Sequence, residues 1–176
     1  MSSFFNLFRI LTAIVLTIAI FLSCFAVFSL FKMPSATSLL VIMIFAAPVV
    51  HSILSQALQR HMMDPNLPMK HSTPGGIRVM GYICMAIAIL FLLSGTVVLA
   101  NLNMIEDMAL RQNPDYFKDS GVTKEQLILL FKAMCIFYIV YSTLIIANVI
   151  LSLRFVSKWK DSQGDDMEIL DDDSYQ

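Results

Sequence analysis

The four longest apolar stretches of this chain contain no aspartate or glutamate. A carboxylate in hydrocarbon is costly and persists where ion coupling or a partner requires it, so this absence argues against a small proton-coupled exporter. It leaves a charge-free channel open. Cysteine is scarce, and the three present, Cys24, Cys84 and Cys135, all lie inside apolar stretches rather than loops. A disulfide-stapled outer domain is thereby excluded. Catalytic signatures are missing as well. No cysteine and histidine pair in a water-accessible segment, no metalloprotease helix motif occurs, and the doublet Gly75-Gly76 reads as a turn rather than a phosphate loop. The expectation is a chain that is not an enzyme, with no catalytic residues, no cofactor and no bound metal. A net charge of only -1 points to no nucleic-acid partner.

What is abundant is apolar surface. Of 176 residues, 57% are hydrophobic and 14% charged, with a mean hydropathy of +0.74, and a bilayer is the expected solvent. The apolar residues gather into runs over 10–31, 39–58, 79–100 and 127–153. Each reaches the roughly 20 residues that a membrane-spanning helix needs. The runs are apolar on every face, whereas barrel strands would alternate over roughly 10 residues. A helix also satisfies its own backbone hydrogen bonds in lipid. The predicted fold is therefore all-α: a polytopic membrane protein with a four-transmembrane-helix bundle over 1–160, an outer loop over 101–126 and an acidic tail over 161–176.

Four spans place both termini and the middle loop on one side. That side carries Arg9, Arg60, Lys70, Arg78, Arg154, Lys158 and Lys160, against Lys32, Arg111, Lys118, Lys124 and the border residue Lys132 on the other. The positive-inside bias predicts cytoplasmic termini. Trp159 between Lys158 and Lys160 suits the inner headgroup layer and is expected to end the fourth helix. The sequence Phe21-Leu22-Ser23-Cys24 loosely resembles a lipoprotein cleavage site, but the apolar run continues past the cysteine, so the first span reads as an uncleaved anchor.

Between the spans, Lys32-Met33-Pro34-Ser35 is a short connector. The segment 59–77, with Pro65, Pro68, Pro74 and Gly75-Gly76, is expected to be irregular. A short helix is expected over 102–112, before Asn113-Pro114. Thr123 with Gln126 reads as a capping box that starts the fourth helix. The tail holds seven acidic residues and no Lys or Arg, and is expected to be disordered when free.

A hint of duplication is present. Shifting the first run by 69 residues lays Arg9 on Arg78 and Ile18-Ala19-Ile20 on Ile87-Ala88-Ile89. Helices in lipid associate where small residues let their backbones approach. Gly81, Ala88 and Gly95 recur every seven residues, and the same shift places Thr12, Ala19 and Ala26 at the matching positions. Runs two and four share His51-Ser52-Ile53-Leu54-Ser55 and Asn148-Val149-Ile150-Leu151-Ser152. The reading is two tandem helical hairpins related by an axis along the membrane normal, with spans one and three packed on their small-residue faces. The alternative is an ordinary bundle whose small residues are scattered.

Three polar residues inside the runs are candidates for an intramembrane site. His51 and Asn148 occupy matching places in the suggested repeat and would form a polar site or, more plainly, an interhelical hydrogen bond. Lys132 would mark an ion path, or carry its ammonium outward to the interface near Glu106 or Asp107. The soft donors His61, Met62, Met63, Met69 and His71 have copper(I) chemistry, but their spacing is irregular and no cysteine assists. Beyond the bilayer itself, the expected partner is another protein or a second copy of this chain. The leading expectation is a non-catalytic membrane subunit or adaptor that binds through the outer loop or acidic tail. The alternative is a small oligomeric transporter or channel component.

Overall fold

A computed structural model describes residues 3–32, 34–64, 66–67, 69–70, 72–102 and 123–172, with side chains left out at 124 and beyond 160. Its described residues form helices without strands: α1 (Ser3–Lys32), α2 (Ala36–Met63), α3 (Thr73–Ala100) and α4 (Lys124–Asp172). All four are long and apolar enough to cross a membrane, and the arrangement fits a four-helix bundle. The expected outer-loop helix over 102–112 falls largely outside the described residues.

The segregation of side chains departs from that of a water-soluble core: many large apolar groups lie outside, and polar groups share the interior with apolar ones such as Phe8, Leu58 and Ile77. Large apolar groups face outward, among them Phe21 at 72% exposure, Phe31 at 83% and Met43 at 74%. Thr12, His51, Ser52, Ser55, Gln59, Asn148 and Ser152 are buried. Such an exterior is compatible with a bilayer, where lipid tails would solvate the outward apolar groups and the interior would be open to small and polar groups that permit close packing and interhelical bonds. The outward hydroxyls of Thr17, Thr96 and Thr143 bond the carbonyls of Ala13, Leu92 and Ile139 one turn back, which satisfies them without water.

Helix boundaries extend past the apolar runs. Ser35 caps α2 by accepting from the Ser38 amide at 3.1 Å. The segment 59–77, read as irregular, is helical at both ends, because α2 continues through Met63 and α3 already begins at Thr73. Pro74 is accommodated since a helix's first turn has amide groups with no partner to lose. Pro48 lies inside α2, where its ring removes the amide that would bond the Ile44 carbonyl.

At the start of α4, Thr123 N–H donates to Gln126 Oε1 at 3.0 Å and Gln126 N–H to Thr123 Oγ1 at 3.3 Å, a reciprocal capping box. At its other end α4 does not stop at the Trp159 cluster but runs on to Asp172. Each added residue of an established helix fixes one residue for one hydrogen bond, so extension is far easier than starting anew. Positions 173–176 lie outside the described residues.

The chain divides into two compact units, Met1–Met85 with Leu144–Gln176, and Ala86–Thr143. In the first, α1 packs along α2, and Phe5 and Phe8 of α1 meet Leu58 of α2, Ile77 of α3 and Phe155 and Val156 of α4 in one cluster. Phe155 stacks on Phe8 at 5.0 Å between ring centres and meets Phe5 edge-on at 5.7 Å. In the second, α3 and α4 approach at Gly95, where a Cβ would lie 3.1 Å from Ile139 Cγ1 and 3.3 Å from the Cys135 carbonyl oxygen.

Gly75 is different, because a Cβ there would meet nothing within 4 Å. Gly75→Ala should raise stability by about 0.5–1 kcal/mol through helix propensity. Thermal unfolding in detergent checks this, and a lowered midpoint would mean that α3 is not helical at that residue.

Candidate functional site

The polar side chains of the first unit converge from three helices on the hydroxyl of Thr12. Its Oγ1 lies 2.8 Å from the Phe8 carbonyl, 2.8 Å from Asn148 Oδ1 and 2.9 Å from Gln59 Nε2. Gln59 Nε2 also reaches the Phe8 carbonyl at 3.4 Å. A hydroxyl has one proton and two lone pairs, so it cannot fully donate to two acceptors at once. Proton counting favours the Asn148 amide turned by 180°. Thr12 then donates to Phe8 and accepts from both amides, and Asn148 Nδ2, which otherwise has no partner among the described residues, is satisfied.

The second contact ties α2 to α4. His51 Nε2 lies 3.2 Å from Ser152 Oγ, which itself is 2.8 Å from the Val149 carbonyl. Ser152 has one hydroxyl proton for these two acceptors, so the direction of its bond with His51 is set by the imidazole tautomer. Gly81 of α3 makes room for this pair. A Cβ at Gly81 would stand 3.4 Å from His51 Cε1 and 3.3 Å from Val149 Cγ1.

His51 and Asn148, singled out in the sequence, are therefore both buried in interhelical contacts, though with Ser152 and Thr12 as their hydrogen-bond partners. Lys132 belongs to the other unit and is exposed on α4. Glu106 and Asp107, its expected neighbours, lie outside the described residues. All six small-residue positions, Thr12, Ala19, Ala26, Gly81, Ala88 and Gly95, are buried. At the three whose contacts are given above, the neighbours come from α2 and α4. One regularity bears on duplication: the shifts of 69 and 97 residues that align the runs carry Thr12 to Gly81 and His51 to Asn148. The contact Thr12–Asn148 thus has Gly81–His51 as its image.

Gln59, Ser52, Ser55 and Ser152 were not singled out as site residues. The available signal was their helical spacing, since His51, Ser55 and Gln59 recur every four residues on one face of α2, and Asn148 and Ser152 do so on α4. Ser52 Oγ and Ser55 Oγ are buried with no hydrogen-bond partner among the described residues. Of the soft donors, His61 Nδ1 lies 2.8 Å from the Leu67 carbonyl and its ring meets Trp159 edge-on. His71 lies outside the described residues. Chemically, the network offers amides, hydroxyls and one imidazole without a carboxylate, an arrangement suited to holding helices in register.

A second feature borders the network. Asn6, Arg9, Ile10 and Ala13 of α1 and Gln56, Gln59, Arg60 and Met63 of α2 line a cavity of about 520 Å³. Comparison with known proteins finds no counterpart: no protein-family model, curated protein or solved structure matches the chain.

Proposed function

We propose that the chain is a non-catalytic membrane subunit or adaptor, with both termini in the cytoplasm, that binds a partner protein through its acidic C-terminal segment or its outer loop. The observation that carries this reading is the length of α4. Its 49 residues span about 73 Å at 1.5 Å per residue, against about 30 Å of hydrocarbon. Much of the helix must therefore stand outside the bilayer. In sequence the part beyond Lys160 carries Asp161, Asp165, Asp166, Glu168, Asp171 and Asp172, a composition that suits a basic partner. Acidic residues at a helix C-terminus oppose the macrodipole, so this end gains from a cationic partner. The interior supports the same reading, because Thr12, Gln59, Asn148, His51 and Ser152 bond across helices and hold the anchor together.

The test is crosslinking with mass spectrometry on protein purified in mild detergent from its native membrane, full-length and truncated after Lys160. The expected result is one other protein linked through 161–176 or 101–126, with links to 161–176 lost on truncation. Self-links alone would overturn the reading. They would favour the second one, a small oligomeric transporter or channel component, to which the buried unpartnered hydroxyls of Ser52 and Ser55 lend support.

A further inference from the structure

The cavity between α1 and α2 is lined by two guanidiniums and three carboxamides and by no acid. Its volume of about 520 Å³ falls within the roughly 300–1,000 Å³ usual for small-molecule sites. The acid nearest in sequence, Asp64, turns its Oδ1 to the backbone and side-chain nitrogens of Asn66, 3.1 Å from each. Among the described residues neither Arg9 nor Arg60 has an acidic partner. One lining side chain is held in place: Gln59, 5% exposed, is fixed by Thr12 Oγ1 at 2.9 Å and the Phe8 carbonyl at 3.4 Å.

Two guanidiniums that line one cavity from two helices, with no acidic partner among the described residues, offer a phosphate the paired N–H donors it accepts. Their position along the chain points to the source of that phosphate. Arg9 directly precedes the apolar run 10–31 and Arg60 closely follows the run 39–58, so in a bilayer both fall where headgroups meet hydrocarbon. Ile10, Ala13 and Met63 complete the lining with apolar surface, suited to the glycerol and upper acyl chain of a lipid.

We propose that this cavity binds the phosphate of an anionic phospholipid, with Arg9 and Arg60 as its ligands and Asn6, Gln56 and Gln59 as polar neighbours. The site is independent of the adaptor reading above. A smaller cavity of about 220 Å³, lined by Phe4, Leu151, Arg154, Phe155 and Lys158, provides an internal control of equal charge.

The experiment is native mass spectrometry of the full chain, released from a neutral detergent after titration with phosphatidylglycerol, phosphatidylcholine or inorganic phosphate. Wild-type protein should retain phosphatidylglycerol about tenfold better than phosphatidylcholine, and Arg9→Gln with Arg60→Gln should abolish that preference, a change on the scale of one lost charge-assisted hydrogen bond. Arg154→Gln with Lys158→Gln should preserve it. Saturable inorganic phosphate that competes with the lipid and is lost in the Arg9/Arg60 variant would keep the phosphate site but make a soluble phosphate its source. Equal loss in both double variants, or no loss in either, would overturn the proposal. Because Arg9 and Arg60 are exposed, the glutamine variants should fold, and Arg9→Lys with Arg60→Lys should recover part of the preference.

Discussion

Replacing Thr12 with valine should lower stability by about 2 kcal/mol, although the two side chains are nearly equal in size. Interhelical hydrogen bonds in membranes average only about 0.6 kcal/mol, with a maximum near 1.7. Thr12 exceeds the average because its hydroxyl serves Gln59 and Asn148 together. Valine would leave two amides buried without that partner, and the penalty for orphaned buried groups is larger than the value of a bond gained. The measurement is unfolding in mixed micelles with a rising fraction of denaturing detergent. Combined with Asn148→Leu, the two changes should be less than additive, with a coupling of about 1 kcal/mol. Strict additivity would show that the hydroxyl does not bridge α1 and α4.

Gly81→Leu is expected to cost about 2–3 kcal/mol by overpacking. The first carbon alone would come within 3.3 Å of Val149 Cγ1 and 3.4 Å of His51 Cε1, and a leucine adds three more carbons in the same direction. It would push His51 from Ser152 and force α3 away from both neighbours. Gly81→Ala should cost less, since a shift of a few tenths of an ångström suffices and alanine gains about 1 kcal/mol in helix propensity. Val149→Ala in the same chain should relieve part of the strain. The same micelle titration reads all three, and a leucine variant as stable as wild type would mean that α3 is not packed on α2 and α4 at this position.

The helical class, the number of apolar helices and the start of α4 were legible before any coordinates. Run length and apolarity on every face decided the first two, and the spacing of Thr123 and Gln126 decided the third. Boundaries were less legible. Pro74 and Gly75 look like breakers in sequence, yet the first helical turn tolerates them, and Asp161–Asp172 looks too polar to order, yet continues a helix already formed. His51 and Asn148 stood out because they are polar within apolar runs. Ser52, Ser55 and Gln59 are less conspicuous, since serine bonds its own helix at little cost and Gln59 lies just beyond the run 39–58.

The sequence by itself determined that this chain forms four helices long and apolar enough to cross a bilayer, because backbone satisfaction in lipid leaves few other choices for such runs. Only the tertiary structure decided which helix meets which. In water the buried face of a helix announces itself as apolar. In lipid both faces can be apolar, so hydropathy is silent about neighbours, and the partners of Thr12, Gly81 and His51 follow from the side chains that approach from the other helices.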